Sequence, residues 1–394
     1  MLVIVQTHPV PYHAPVFRAL SRTLHAPLTV VYASDFSVAG YRDREFGTSF
    51  AWDADLLGGY DSLFLSRVAE GGARSYEEVS PAGLGTALGR LQPSAVMVCG
   101  YGHQLHRAAL LRAWLHGWPI LFRAETIDRE PRLVVKRVLR RHALAAVYAR
   151  CARLLYIGVR SRRHFEQHGC RPDQLVFSPY CADVSSFHTT EASRAALRES
   201  GRRAVGAEAA DLVVLFAGKL SPRKRPDLLV DALARRQARS GRRALLAFVG
   251  DGVLKVALEE RARSAGLRVH FAGFQNQTQL SRYYHAADLF VLPSGERETW
   301  GVVVNEALAH AVPCVVSDAV GCAPDLVVPG RTGERFEADS VGGLEAALER
   351  AASLAGRDDV RRWCRAMAAE YSVERAAAGI AEAYHAIVDR RRAA

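Results

Sequence analysis

No apolar run in the 394-residue sequence approaches the roughly 18–20 residues that a membrane-spanning helix needs. The opening stretch MLVIVQTHPVPYH has no charged segment ahead of its apolar residues, so it reads as a first core strand and not as a secretion signal. The seven cysteines (Cys99, Cys151, Cys170, Cys181, Cys314, Cys322 and Cys364) form no C-x-x-C pair and are odd in number. That argues against a disulfide frame or a zinc site and fits reduced thiols in a cytoplasm. Gly250-Asp251-Gly252 lacks the third glycine of a dinucleotide fingerprint. No Walker lysine follows a glycine-rich loop, and no G-x-S-x-G elbow appears. Zinc knuckles and RNA-recognition signatures with interleaved aromatics are missing too, so nucleic acid is not an expected partner.

What is present is an α/β rhythm. Short β-branched runs at 2–7, 28–34, 95–100, 119–124, 153–159 and 175–178 alternate with Ala/Leu/Arg-rich helical stretches. Such continuous apolar runs suit parallel strands buried on both faces. Residues 184–210 interrupt the rhythm and read as a linker with a short helix. A second series follows at 212–218, 244–249, 268–272, 289–293 and 313–317. The expectation is two doubly wound domains, 1–185 and 206–371, with a final helix near 372–394 returning to the first. Ligands of such sheets bind beyond the carboxyl ends of the strands. A formal charge of +11 suggests acidic partners such as phosphates or anionic lipid, although an Ala/Arg-rich chain carries such an excess without any partner.

Two segments carry candidate chemistry. In 289–318, a strand ends at Pro293 and a polar loop with Glu298, Trp300 and Gly301 leads into a helix containing Glu306. A carboxylate accepts two hydrogen bonds from a vicinal diol, as ribose and hexose both offer. The backbone near Gly301 can approach a ligand, and the helix's first N–H groups can receive phosphate. A surface glutamate followed by a first-turn glutamate would give the same spacing. In 211–227, a strand runs into Gly218, then Lys219, with Lys224 five residues on and Arg223 and Arg225 beside it. Fixed cations there can stabilise a leaving diphosphate without a metal. A solvated basic loop looks similar.

Together, G218-K219-L220-S-P-R-K224, F248-V-G-D-G252, F271-A-G-F274 and E298-x7-E306 resemble the retaining GT-B glycosyltransferases of family 4. The similarity is nearly continuous in the C-terminal half and fainter at 11–20, 50–60 and 178–187. The resemblance implies two Rossmann-like domains facing across a cleft, with acceptor binding in the first and nucleotide-sugar binding in the second. It implies that Lys219, where arginine is common, and Lys224 contact the donor pyrophosphate. It implies Glu306 on the ribose, Glu298 on the transferred sugar, and the backbone of Thr299, Trp300, Gly301 and Val302 along sugar and phosphate. Phe274 would lie near the base, and Gly250 would let the backbone approach the nucleoside. Glu125 stands where the family often has a catalytic histidine, with His13 and His103 as other candidates. The sequence departs from the pattern at His310-Ala311, where a small residue and glycine are common.

The implied activity is retaining hexosyl transfer from a UDP- or GDP-sugar to an acceptor hydroxyl, in polysaccharide, glycolipid or metabolite glycosylation, with no cofactor or metal. A sugar-nucleotide epimerase or hydrolase, or a silent nucleotide-sugar-binding subunit, remains open. Asp53-Ala54-Asp55 matches a metal-binding D-x-D literally, but lies far from the donor motifs in sequence. Arg129, Arg132, Lys136, Arg137, Arg140 and Arg141 share a helical stretch with Leu133, Val134, Val135, Val138 and Leu139. It reads either as a packed helix with a solvated cationic face or as a peripheral contact with anionic lipid at the inner membrane face.

Overall fold

The computed structural model describes residues 1–42, 49–50, 54–125, 134–185, 187, 190–241, 243–295 and 298–393. The chain divides into two units. One holds Met1–Tyr41, Phe50–Tyr180 and Ser372–Ala394, and the other holds Cys181–Tyr371 with the short stretch Arg42–Ser49.

The first unit is built on seven strands: β1 (Leu2–Gln6), β2 (Leu28–Ser34), β3 (Asp61–Ser66), β4 (Ala95–Val98), β5 (Ile120–Arg123), β6 (Arg153–Tyr156) and β7 (Leu175–Phe177). They lie in the order β3-β2-β1-β4-β5-β6-β7, all parallel. The central strands are apolar at almost every position because helices cover both faces; every residue of β1 is buried. Helix α1 (Ala14–Thr23) starts with Pro15 in its first turn, where the missing N–H costs nothing. Helices α2 (Gln104–Leu115) and α3 (Val134–Ala149) follow β4 and β5. The last helix, Val373–Ala393, returns to this unit. It buries Ala376, Ala377, Ile380 and Tyr384, and its Ala376 carbonyl accepts from Ser178 Oγ at 2.9 Å.

Helix α3 corrects the view of its basic stretch as a packed helix. Val134, Val135, Val138 and Leu139 are 60%, 70%, 47% and 65% exposed, so in its first half these apolar residues face outward as openly as the cations, while Leu144 and Tyr148 further on pack into the core. Arg129, Arg132 and Leu133 fall outside the described residues.

The second unit repeats the plan with β8 (Leu212–Ala217), β9 (Ala244–Val249), β10 (Arg268–Phe271), β11 (Leu289–Leu292), β12 (Cys314–Ser317) and β13 (Gly333–Phe336). Their order is β10-β9-β8-β11-β12-β13, again parallel. Its core joins Val214, Phe216, Leu246, Phe248 and Val291 with Leu229, Leu233, Leu344 and Leu348 of the covering helices. Within 184–210, read from the sequence as a linker with a short helix, residues 191–204 form a 14-residue helix, α4 (Glu191–Ala204), capped by Thr190 Oγ1. It packs on α5 (Gln277–Ala286) within this unit. Helices α6 (Val302–Ala309) and α7 (Asp358–Glu370) lie against each other. After α6 the chain turns through Ala311 at φ +59°, a left-handed conformation costing a side-chain-bearing residue about 1–2 kcal/mol. The backbone thus keeps a glycine-like turn at a position occupied by alanine.

Candidate active site

The loop after β8 is shaped by close backbone contacts. A Cβ on Gly250 would run into the Gly218 carbonyl, and one on Gly252 would meet the Leu220 carbonyl oxygen at 2.5 Å. Gly218 N–H donates to the Val249 carbonyl at 2.8 Å, Leu220 N–H to Asp251 at 2.9 Å, and Gly250 N–H to Gly273 at 2.8 Å. These glycines weld together the carboxyl ends of β8, β9 and β10. The chain then leaves through half-buried Lys219 into a tight turn, Pro222–Lys224. Phe274 sits half-buried just past Gly273.

That turn presents Lys224 to the loop after β11. Lys224 is buried, and its Nζ lies 2.5 Å from Glu298 Oε2. Arg223 Nη1 donates to the same oxygen at 2.9 Å. The loop is held because Gly295 N–H donates to the Arg223 carbonyl at 3.2 Å and Gly321 N–H to the Glu298 carbonyl at 3.0 Å. Burial drives the Glu298 carboxyl upward, yet the charges of Lys224 and Arg223 outweigh it and hold the group below the usual carboxylate range. Burial also pulls the Lys224 ammonium down, with Arg223 and Lys219 adding to the fall and Glu298 opposing it. Arg223 and Lys224 therefore share one carboxylate oxygen, with Lys219 near enough to Lys224 to add to its fall.

Glu306 lies in α6, which begins at Gly301 (φ +96°). A Cβ on Gly301 would lie 2.9 Å from Leu292 Cδ2, so only glycine opens this helix here. The N–H groups of Val302 and Val303 precede the first helical hydrogen bond, whereas Val304 N–H already donates to the Gly301 carbonyl at 2.9 Å. Glu306 is buried and accepts a 2.6 Å hydrogen bond from Tyr284 Oη of α5. Burial pushes its carboxyl up to about 7, against the hydrogen bond from Tyr284. His310 stacks on Tyr284 with centroids 4.8 Å apart, and its Nδ1 lies 2.7 Å from the Glu306 carbonyl oxygen. The Trp300 side chain belongs to the packing: its Nε1 donates to Asn305 Oδ1 at 2.9 Å and its ring stacks on Tyr371. At Trp300, therefore, only the backbone is available to line a ligand.

Glu125 is in the other unit, exposed at the carboxyl end of β5, and hydrogen-bonds the Tyr180 hydroxyl. Tyr180 also lies 3.1 Å from His13 Nε2, and Gln6 Nε2 is 3.0 Å from His13 Nδ1. Burial first, and then Arg123, His8 and His106, lower His13 to about 3. With both nitrogens engaged and so low a basicity, His13 is a poor general base at neutral pH. His103 Nδ1 caps α2 by accepting from Leu105 N–H at 3.1 Å, a structural duty. Asp53 lies outside the described residues. Asp55 Oδ1 accepts from Leu57 and Gly58 N–H and its other oxygen pairs with Arg18. Among the described residues no group of three His, Cys, Asp or Glu side chains could hold a metal ion.

The structure thus gathers Lys219, Lys224 and Glu298 at one strand edge, and sets Glu306 in the same unit. It also adds two residues to the sequence-derived set. Arg223 is legible only as the neighbour of Lys224, and Tyr284, which steadies Glu306, sits in a helix with no motif of its own.

Residues 198–368 match the family model described as Glycosyl transferases group 1. A D-inositol 3-phosphate glycosyltransferase of Nocardia farcinica is 32% identical over 237 residues, 57% of this chain and 50% of that protein. A GDP-mannose-dependent alpha-mannosyltransferase of Mycolicibacterium smegmatis is 38% identical over 136 residues, 34% of this chain and 32% of that protein. The chain spans about half the length of the inositol-phosphate relative. Among solved structures, Anabaena HepE in complex with UDP and glucose superposes with a TM-score of 0.68 at 17% identity, over 98% of this chain and 99% of that one. A Rickettsia africae glycosyltransferase gives 0.71 at 12% identity, over 98% of both chains. The chain has the GT-B fold, and its residues 198–368 match the group 1 glycosyl transferases.

Proposed function

We propose that this protein is a family 4 glycosyltransferase. It moves a hexosyl unit, with retention, from a nucleoside-diphosphate sugar to an acceptor hydroxyl, and it needs no metal. The observation that carries the reading is the cation pair of Arg223 and Lys224 at the end of β8, both on the one carboxylate oxygen of Glu298, with Lys219 close enough to repel Lys224. Such a cluster suits a diphosphate bearing about two charges. Glu306 suits the ribose diol, and the amino end of α6 suits a phosphate. Cations placed before the bond breaks stabilise the charge that builds on the departing diphosphate. In the retaining route, the acceptor attacks from the face the diphosphate leaves, and a departing phosphate oxygen takes the acceptor proton. Glu125 and the histidine-rich edge of the first unit are the acceptor-side candidates. The relatives fit this donor class: one neighbour was crystallised with UDP and glucose, and one relative is named for GDP-mannose.

A thermal-shift panel of UDP-, GDP-, ADP- and TDP-sugars tests the reading, because a ligand that binds only the native state raises its melting point by mass action. One nucleotide series should stabilise the protein, with the effect lost in Lys219→Ala. A panel in which no nucleotide sugar shifts the melt would sink the proposal. Release of free sugar at full rate without an acceptor would favour a hydrolase.

Helix α3 favours a lipid-linked acceptor. Its four exposed apolar residues interleave with Lys136, Arg137, Arg140 and Arg141, the make-up of a helix that lies in a headgroup layer. Sedimentation with vesicles containing anionic lipid should pull the protein down, and with neutral vesicles should not. V135S/L139S should weaken the association by at least about tenfold, since the five aliphatic carbons lost are worth up to about 4 kcal/mol at about 0.8 kcal/mol per buried CH2. Equal sedimentation of variant and wild type would rule this surface out.

A further inference from the structure

A second basic site lies within the unit that carries Lys224. A cavity of about 230 Å³ opens between α4, α7 and the turns entering β11 and β12, lined by Glu191, Arg194, Arg198, Asp288, Ala311 and Arg361 among others. These turns are at the amino ends of the strands, whereas Lys219 and Glu298 follow the carboxyl ends. Three arginines line it, Arg194, Arg198 and Arg361, against the carboxylates of Glu191 and Asp288; outside the lining, Arg202 pairs with the same Asp288, Arg365 with the same Glu191, and Asp358 with Arg361. Glu191 alone faces Arg194 at 3.9 Å, Arg361 at 3.8 Å and Arg365 at 2.6 Å.

The other partners of these arginines explain why they are there, but not why so many charges crowd one cavity. Arg198 ties down the end of α5, donating to the carbonyls of His285 and Ala287 at 3.1 Å. Arg194 donates to the His310 carbonyl at 2.9 Å, at the end of α6. Burial, and then repulsion from Arg361 and Arg198, lower Arg194 to about 10, far below the ordinary range of a guanidinium. The Arg365 Nε is buried without a hydrogen-bond partner. The cluster is short of negative charge.

We propose that this cavity binds a phosphate-class dianion, with Arg194 and Arg361 as its ligands, at a site separate from the cation cluster after β8. Glu191, the most exposed of the lining carboxylates, fills part of that role when no anion is present. Arg194 bonds the His310 carbonyl, and His310 touches the Glu306 carbonyl and stacks on Tyr284, which holds the Glu306 carboxyl. An anion that draws on Arg194 therefore acts on the same helix end that positions Glu306.

The test is a thermal-shift titration with inorganic phosphate at constant ionic strength. Wild type should show a saturable rise in melting point, and so should Lys224→Ala, which alters only the other cation cluster. Arg361→Ala should move the midpoint to roughly tenfold higher phosphate, the loss expected for a charged hydrogen bond. Glu191→Gln should move it several-fold lower, because a competing carboxylate has gone. If Arg361→Ala does not fold, Glu191→Gln still decides. A midpoint unchanged by Glu191→Gln, a response that never saturates, or a loss confined to Lys224→Ala would each overturn the assignment.

Discussion

Lys224→Ala should slow cleavage of the sugar–diphosphate bond, and with it turnover, by about 10²–10³-fold while the chain still folds. The size follows from removing one preorganised donor to a developing negative charge. Breaking a buried ion pair often costs roughly 3–5 kcal/mol, because a charge is stranded. Here Arg223 remains 2.9 Å from Glu298, so the carboxylate keeps a partner and the loss of stability should fall short of that range. Arg225 is the useful comparison. Among the described residues it pairs with Asp227 and Asp339, and Glu298 pairs with Arg223 and Lys224 instead, so Arg225→Ala should keep near-wild-type turnover. Sugar-transfer turnover and thermal melts of both variants check the pair. Wild-type turnover by a well-folded Lys224→Ala protein would remove the reason for assigning the cluster to catalysis.

Glu306→Gln should abolish the pH dependence of nucleotide affinity and raise the stability of the free protein at pH 8. Folding lifts the Glu306 carboxyl from an ordinary value of roughly 4.3 to about 7. A raised carboxyl means that the native state holds its proton more tightly than the unfolded chain. Its contribution to stability is complete below the unfolded value and is lost as pH rises through about 7. The span corresponds to about 3 kcal/mol. Glutamine retains the oxygen that accepts from Tyr284 and never ionises, so the variant should lack this slope. A diol donating two hydrogen bonds prefers the carboxylate, so wild-type affinity should rise up to about tenfold per unit towards pH 7 and then level off. Urea melts at pH 5 and 8, and calorimetry in buffers of different ionisation enthalpy, measure both effects. Identical slopes in variant and wild type would locate the titration elsewhere.

Much of the fold can be read from the chain because buried parallel strands are apolar at successive positions, as in LVIVQ and ALLAFV. The strands that escape notice are at the sheet edges. Asp61–Ser66 is exposed or half-buried throughout, and Gly333–Phe336 has four residues with Glu334 and Arg335 in the middle. Neither can show a continuous apolar run. The short helix expected in 184–210 is present as α4, but its place in the second unit is hidden because its contacts use guanidinium groups, which look like solvent-exposed charge in a sequence. Lys219, Lys224 and Glu298 announce themselves by lying just after apolar runs. The role of Tyr284 depends on how α5 is rotated against α6, which no local pattern encodes. The outward turn of Val135 and Leu139 is hidden for the same reason: amphipathic spacing gives the angle between faces, not which face meets the core.

The last helix has a consequence for biosynthesis. It contributes Ile380 and Tyr384 to the unit that begins at Met1, and Tyr384 Oη lies 2.9 Å from Ser94 Oγ. On the ribosome, domains usually mature in the order in which they are made. Here the first sheet must wait, with α1 and the β7 edge uncovered, until residues 373–387 have been synthesised. The segment 181–371 can close while that happens. The donor-side unit is then the earlier of the two to mature, and a stalled or clipped chain would leave the other one sticky.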